Sequence, residues 1–223
     1  MVLDGSTRGT EGIVMDPFLS AAATSNGPIQ FVRAGAEDFI NSMVEGDACS
    51  LSKELKPKWW RHEYDFDQVL MKEVIHHIPQ EVRRPFFDAL RRLMLRSTRP
   101  SDAPEEGAPS VLIVTRPRSK LDCPLWDGAR EVRAKLFPPV EDIVDDLVAA
   151  GFRHVQWTIE SYPCVIQLEQ WTAMVKGRCW SAFSHFEDEE LEEACREIER
   201  TADVDCDGRI HFDERMLFII NSL

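Results

Sequence analysis

Apolar and polar positions along the chain follow two periods, one typical of strands and one typical of helices. The clearest strand is Ser110–Thr115, which is continuously apolar and β-branched, as strands buried in parallel sheets are. The clearest helix is Val82–Arg96, with apolar residues at helical spacing and arginines opposite. Further strands are predicted near residues 2–3, 13–15, 29–33, 69–71, 155–167 and 210–223, and further helices over 140–150, 168–178 and 188–202. This alternation predicts an α/β, Rossmann-like fold with a mainly parallel sheet and helices on both faces.

The stretch Phe66–Pro79 combines a short buried strand with a polar continuation. Val69, Leu70 and Met71 form its apolar run, and Pro79 ends the segment because the residue before a proline disfavours helix. In open α/β sheets, ligands bind at the carboxyl ends of the strands, so this continuation is a candidate site. The alternative is a core strand followed by two surface histidines.

Composition narrows the classes of function. The chain has 223 residues, 43% of them hydrophobic, and a net charge of −13. The negative charge argues against a surface that binds nucleic acid and against binding to anionic membranes. Six scattered cysteines without a CxxC pair, and a start that lacks the pattern of a secretory signal, favour a cytoplasmic protein with reduced thiols. One domain over residues 1–223 is expected, with residues 116–202 including a helical cap.

Charged residues follow four predicted strands in turn. Asp4 follows the first strand, Asp16 the second and Glu37 with Asp38 the third, while Lys72 and Glu73 follow the fourth. On a parallel sheet these strand ends share one edge. A carboxylate after the second strand is placed to accept from both hydroxyls of a ribose, and the next acid pair could accept from an adenine amino group.

These segments resemble the class I S-adenosylmethionine-dependent methyltransferases, of the small-molecule, type 11-like kind. The matching segments are Val2–Gly5 (first motif), Ile13–Pro17 (ribose-binding acidic loop), Phe31–Phe39 (adenine-side acid), Phe66–Pro79 (fourth motif), Val111–Pro117 (fifth strand) and Gly208–Ile220 (last, antiparallel strand). The resemblance implies S-adenosylmethionine as cofactor. Asp4 and Gly5 would lie near its methionine end, and Lys72 and Glu73 would line the floor of its site.

The first motif departs from the family pattern. A glycine-rich turn followed by a helix is expected before the second strand, yet only eleven residues separate Asp4 from Asp16. Gly5 and Gly9 are retained, but no helix fits. The motif is therefore truncated or degenerate, and a catalytically inactive, methyltransferase-like binding protein is an alternative.

Substrate and catalytic residues are predicted less directly. In this fold the segment between the fifth and last strands covers the substrate, and Tyr162, Trp171, Arg178 and Trp180 stand out there. Aromatic groups with one arginine would suit a planar or carboxylate-bearing molecule. The alternative is that Trp171 and Trp180 are core residues. No residue resembles an activated nucleophile, and His76 and His77 are the candidates for a base.

A competing motif occupies Asp203–Glu214. Asp203, Asp205 and Asp207 at positions one, three and five, Gly208 at six and Glu214 at twelve match an EF-hand calcium loop. His211 at position nine, Arg215 after the loop and the lack of a second loop count against it. The alternative is a tight turn in which Asp207 and Gly208 lead into the last strand.

The sequence thus predicts an enzyme that moves a methyl group from S-adenosylmethionine to a small-molecule acceptor. In-line positioning would supply most of the catalysis, because the sulfonium of the cofactor is already activated. No metal is expected in this interpretation. A calcium-binding module is the second alternative to this function, after the inactive binding protein.

Overall fold

The computed structural model describes residues 2–4, 12–15, 29–32, 68–96, 110–119 and 121–223, the first three segments by their backbone. The strands are β1 (Val2–Asp4), β2 (Gly12–Met15), β3 (Ile29–Val32), β4 (Gln68–Lys72), β5 (Ser110–Thr115), β6 (Arg153–Gln167) and β7 (Arg209–Ser222). The helices are α1 (Gln80–Arg96), α2 (Asp127–Leu136), α3 (Val140–Ala149), α4 (Leu168–Lys176) and α5 (Asp188–Thr201), with 3₁₀ turns at Ile75–His77 and Ser181–His185.

The strands form a seven-stranded sheet in the order β3-β2-β1-β4-β5-β7-β6. Its first five positions repeat the 3-2-1-4-5 order of doubly wound α/β sheets. Strand β2 is parallel to β3, and β4 is parallel to β5. The predicted α/β, Rossmann-like class is confirmed.

Strand β1 departs from the parallel arrangement, because it runs antiparallel to both of its neighbours, β2 and β4. Seven residues (5–11) connect β1 to β2. A parallel pair needs a crossover of about a dozen residues or more, so a connection this short permits only an antiparallel pair. The thirteen residues between β2 and β3 (16–28) are enough for their parallel pairing.

The reversal of β1 changes which strand ends share an edge. Strands β2, β3, β4 and β5 all run in one direction, so Met15, Val32, Lys72 and Thr115 end at the same edge of the sheet. Asp4 instead pairs with Gly12 and Gln68, the first residues of β2 and β4. The prediction that Asp4 shares the edge of the other strand ends is therefore wrong.

The chain divides into two compact units. The first contains residues 1–115, 141–158 and 218–223, and the second contains residues 116–140 and 159–217. In the first unit, α1 buries Phe86, Phe87 and Leu90, and β4 and β5 bury Met71 and Ile113. The ring of Phe87 also meets that of Phe152 edge-on, with centroids 6.4 Å apart.

The second unit has its own hydrophobic core, formed by residues of α2, α4, α5 and the Ser181–His185 turn. Its aromatic members pack ring against ring. Trp126 stacks on Phe183 with ring centroids 5.5 Å apart. Trp180 also stacks on Phe183, with ring centroids 5.4 Å apart. Leu191 and Ile198 on the apolar face of α5 complete this core, while its acidic face is exposed.

Local sequence patterns predict most element bounds from β4 onward. The strand Ser110–Thr115 is confirmed residue for residue. The helix predicted over 140–150 ends one residue earlier, at Ala149, and Gly151 follows Ala150 with a φ of +90°, a conformation that glycine adopts without strain. Pro163 lies within β6 without ending it.

Candidate functional site

The carboxyl ends of β4 and β5 form the described part of the predicted cofactor site. Lys72 is in register with Val114, and the Glu73 N–H donates to the Val114 carbonyl with an N···O distance of 2.8 Å. Lys72 is exposed and Glu73 is half-buried. The structure therefore brings a cation and a carboxylate together at the edge where β2, β3, β4 and β5 end.

Glu73 has a left-handed backbone conformation, with a φ of +53°. Residues other than glycine adopt this conformation infrequently, and it turns the chain sharply away from β4. The apolar residues that follow, Ile75 and Ile78, are buried. They anchor the segment, so Glu73 is held at the edge by the backbone on both sides.

His76 and His77 lie on the 3₁₀ turn directly after this edge. Their ring centroids are 4.1 Å apart, with His76 half-buried and His77 exposed. The His77 N–H donates to the Val74 carbonyl at 2.9 Å, which closes the turn. The prediction that these two residues have a catalytic role stays a prediction.

Thr115, the last residue of β5, is a candidate residue of the cofactor site that sequence analysis did not suggest. Its side chain is 2% exposed, and its Oγ1 makes no hydrogen bond to any described residue. A buried hydroxyl without a partner is unusual, because desolvation costs free energy that no bond returns. The only sequence signal is a polar residue that closes an otherwise apolar strand.

The acids predicted to hold the nucleoside lie outside the described residues. They are Asp16, Glu37 and Asp38, together with Gly5 of the predicted glycine turn. Asp16 directly follows Met15, the last residue of β2, which ends at the same edge as β4. Asp4, the last residue of β1, lies at the opposite edge of the sheet, because it is in register with Gln68, the first residue of β4.

Trp171 and Trp180, predicted to contact substrate, pack together in the second unit. Trp171 is 2% exposed, and its Nε1–H donates to the Pro124 carbonyl at 2.9 Å. The guanidinium groups of Arg116 and Arg133 lie 4.8 Å and 5.3 Å from the Trp180 ring centroid. This placement agrees with the alternative that these residues belong to the core.

Arg178 and Tyr162 differ from each other in their surroundings. Arg178 donates from Nη2 to the Phe186 carbonyl at 2.9 Å, and the same atom lies 2.7 Å from Asp188 Oδ1. It thereby joins the 3₁₀ turn to the start of α5. Tyr162 lies on β6 and is 46% exposed. The substrate role of these residues stays a prediction.

The Asp203–Glu214 segment forms a tight turn that leads into β7. The Asp205 N–H donates to the Arg209 carbonyl at 2.9 Å, and Val204 pairs with Ile210 across the turn. Gly208 has a φ of +74°. Strand β7 occupies the place where the exiting helix of an EF-hand would begin.

Three of the four carboxylates that would bind calcium have partners within the protein. Asp205 Oδ1 accepts from the backbone N–H groups of Asp207 and Arg209, both at 2.9 Å. Asp207 pairs with the Arg209 side chain at 2.7 Å, and Glu214 pairs with Arg116. Hydrogen bonds from His211 and from the backbone lower the pKa of Asp205 to about 2. Among the described residues, no group of three or more His, Cys, Asp or Glu side chains is placed to hold a metal ion.

Burial disfavours the thiolate form of three cysteines in the second unit, Cys123, Cys179 and Cys195. Burial raises the pKa of Cys123 to about 11, and burial also raises the pKa of Cys179 and Cys195. A thiol with a raised pKa is protonated at neutral pH and is a poor nucleophile.

Comparison with known proteins gives structural likeness at low sequence identity. A S-adenosylmethionine-dependent methyltransferase from Archaeoglobus fulgidus is 13% identical, with a TM-score of 0.43 over 95% of this chain and 75% of that one. The cyclopropane synthase MmaA2 from Mycobacterium tuberculosis is 12% identical, with a TM-score of 0.40 over 90% of this chain and 63% of that one. Phosphoethanolamine N-methyltransferase 2 from Haemonchus contortus is 13% identical, with a TM-score of 0.34 over 70% and 33%. No protein-family model and no curated protein sequence matches the chain.

None of the helices in the described residues is long and apolar enough to cross a membrane.

Proposed function

We propose that this protein binds S-adenosylmethionine at the edge where β2, β3, β4 and β5 end, and transfers its methyl group to a small-molecule acceptor. The observation that supports the proposal is the common direction of these four strands, which brings the ends of the strands that precede the candidate nucleoside residues to one edge of the sheet. Asp16 would hold the ribose, and Glu37 or Asp38 would accept from the adenine.

Lys72 and Glu73 would form the floor of this site. Their backbone is fixed by the β4–β5 ladder and by the Glu73 N–H···Val114 hydrogen bond. Bound S-adenosylmethionine would supply an electrophilic methyl group with a thioether as the leaving group. The residues of the chain would orient the two reactants and exclude water, which can lower the barrier without a covalent step.

The acceptor is proposed to be a small molecule in the cytoplasm. The net charge of −13 disfavours nucleic acids and anionic membranes as partners. Tyr162, on the largely exposed strand β6, is the described candidate with the most accessible aromatic ring.

A second candidate function is nucleoside binding without methyl transfer. The reversal of β1 favours it, because Asp4 and Gly12, which flank the predicted glycine turn, both lie at the edge opposite the candidate site. A site that lacks the glycine turn would hold the adenosine part of the cofactor and would leave the methionine part without its usual contacts.

Calorimetric titration with S-adenosylmethionine, S-adenosylhomocysteine and adenosine tests both candidates. Methyl transfer predicts tighter binding of the first two ligands than of adenosine, and S-adenosylhomocysteine release when small-molecule acceptors are added. Equal affinity for all three, without release, supports the second candidate. No heat from any ligand at about 100 µM protein contradicts both.

The variant Glu73→Gln locates the site, because it removes the charge and keeps the size of the side chain. It is expected to change the affinity for S-adenosylhomocysteine. Glu131→Gln, on the exposed side of α2, is the matched control and should leave that affinity unchanged.

A further inference from the structure

One face of β4 and β5 carries a column of apolar side chains that ends in a hydroxyl. The strand register pairs Val69 with Val111 and Met71 with Ile113, and all four side chains are buried. Side chains two residues apart on a strand point to the same face, so Thr115 continues the β5 half of this column. Thr115 is the last residue of β5 and is 2% exposed. The column therefore closes with a buried polar group at the edge where the strands end.

Packing alone gives no reason for a hydroxyl at this position. A valine side chain would extend the apolar column, whereas the Thr115 Oγ1 is buried without a hydrogen bond to any described residue. Burial of such a group costs free energy that no bond offsets, so its replacement by an apolar group should be neutral or stabilising. Residues that reduce stability in this way are concentrated at functional sites. The hydroxyl is thus a candidate for a bond that forms in a ligand-bound state.

Glu73 is the strand neighbour of Thr115 at this edge. The Glu73 N–H donates to the Val114 carbonyl at 2.8 Å, which extends the parallel ladder of β4 and β5 one residue beyond Lys72. The register that pairs Lys72 with Val114 therefore continues to Glu73 and Thr115. Neighbouring strands are about 4.8 Å apart, a distance that a glutamate side chain spans.

The Glu73 carboxylate extends into the protein. The residue as a whole is half-buried, and its Oε1 is buried. Removal of a carboxylate from water disfavours its charged form unless hydrogen-bond donors replace the lost water. A threonine hydroxyl is such a donor, and Thr115 presents one at the adjacent strand end.

We propose that Thr115 is a positioning residue, whose hydroxyl donates to the Glu73 carboxylate when a ligand fills the cofactor edge. The bond fixes the Glu73 side chain at the floor of the site. Hydrogen bonds at functional sites are often long or poorly aligned in the free protein and tighten in the complex, which agrees with a hydroxyl that is unbonded here. The inference rests on the proposed function, because Glu73 has this role if the edge binds the cofactor.

Calorimetric titration of Thr115 variants with S-adenosylhomocysteine tests the inference. Thr115→Val removes the hydroxyl and is expected to raise the Kd about fivefold. Thr115→Ser keeps the hydroxyl and should bind within about twofold of the unchanged protein. In the Glu73→Gln background, Thr115→Val should raise the Kd only about twofold, because a hydrogen bond to a neutral acceptor is roughly half as strong as one to a carboxylate.

Thermal unfolding without ligand separates positioning from a structural role. Thr115→Val should keep or raise the Tm, by up to about 3 °C, because the hydroxyl that it removes has no partner in the free protein. Thr172→Val is the matched control. Thr172 is also buried, but its Oγ1 donates to the Glu169 carbonyl at 3.1 Å. Its loss should lower the Tm by about 2 °C and leave the Kd unchanged.

Three results would overturn the inference while the proposed function stands. They are an unchanged Kd for Thr115→Val, the same fivefold loss in the Glu73→Gln background, and a fall in Tm as large as that of Thr172→Val. Failure of the unchanged protein to bind S-adenosylmethionine, S-adenosylhomocysteine or adenosine is a different result, since it contradicts the proposed function and the inference with it.

Discussion

Two groups of residues with ligand-binding chemistry in the sequence have different surroundings in the structure. Lys72 and Glu73 lie at the end of a strand, where the backbone holds them and the Lys72 side chain is exposed. Trp171, Asp205 and Glu214 in the second unit are instead engaged by the Pro124 carbonyl, by backbone N–H groups and by Arg116. Residue type alone therefore does not tell whether a side chain is available to a ligand, because Trp171, Asp205 and Glu214 already bond within the protein.

If this contrast is correct, changes in the second group reduce stability and changes in the first group reduce binding. The largest expected effect is that of Trp171→Ala. Removal of a buried indole leaves a cavity and the Pro124 carbonyl without its donor, so the free energy of unfolding should fall by about 3–5 kcal/mol. Urea denaturation measures this change.

Trp157→Ala is the matched control for that measurement. Trp157 is 50% exposed, so its replacement should cost less than about 1 kcal/mol. Equal losses for the two tryptophans would show that Trp171 is not a core residue.

Gly208→Val should have the next largest effect. Gly208 has a φ of +74°, and a Cβ added there would lie 3.6 Å from Gln167 Oε1, an ordinary contact. The cost is therefore one of backbone conformation, roughly 1–2 kcal/mol in the free energy of unfolding. Gly208→Asn should cost less, because asparagine tolerates the left-handed region, and an equal cost for both would argue against the described turn.

The free energy of unfolding should fall at acid pH, because protonation of Asp205 weakens the hydrogen bonds of its turn. Hydrogen bonds from His211 and the backbone hold the pKa of this carboxyl at about 2, below its ordinary value of 3.8. A depressed pKa means that the folded state favours the charged form. Its contribution to stability is complete above pH 3.8, declines as the pH falls toward 2, and is lost below that.

Unfolding curves at a series of pH values measure this contribution. In Asp205→Asn the acid-dependent loss in that window should be smaller than in the unchanged protein, because the titrating group is gone. The same loss in both proteins would assign the acid sensitivity to other carboxyls.

Lys72→Ala should have the smallest effect on stability. Lys72 is exposed, so the free energy of unfolding should change by less than about 0.5 kcal/mol. If Lys72 lines the cofactor site, the Kd for S-adenosylhomocysteine should rise about fivefold, as measured by calorimetry. Lys135→Ala, another exposed lysine, should leave the Kd unchanged, and an unchanged Kd for Lys72→Ala would remove this residue from the proposed site.

Local sequence patterns were sufficient for most of the described elements. The β-branched run at Ser110–Thr115 is typical of a buried strand, and the acidic helix before Ala202 has an apolar stripe of helical period. Lys72 ends β4 and Glu73 follows it, as predicted, while their role in a site stays a prediction. Thr115 was missed because a hydroxyl on a buried strand has no sequence signature beyond its position.

The sequence by itself determined the elements, because their periods of burial are local properties of the chain. Only the tertiary structure decided the direction of β1 and the partners of the second-unit side chains. The direction of β1 depends on its pairing with β2 and β4 and on the short connection to β2. The roles of Trp171 and Asp205 depend on the groups that the fold brings near them, and no spacing in the sequence encodes those groups.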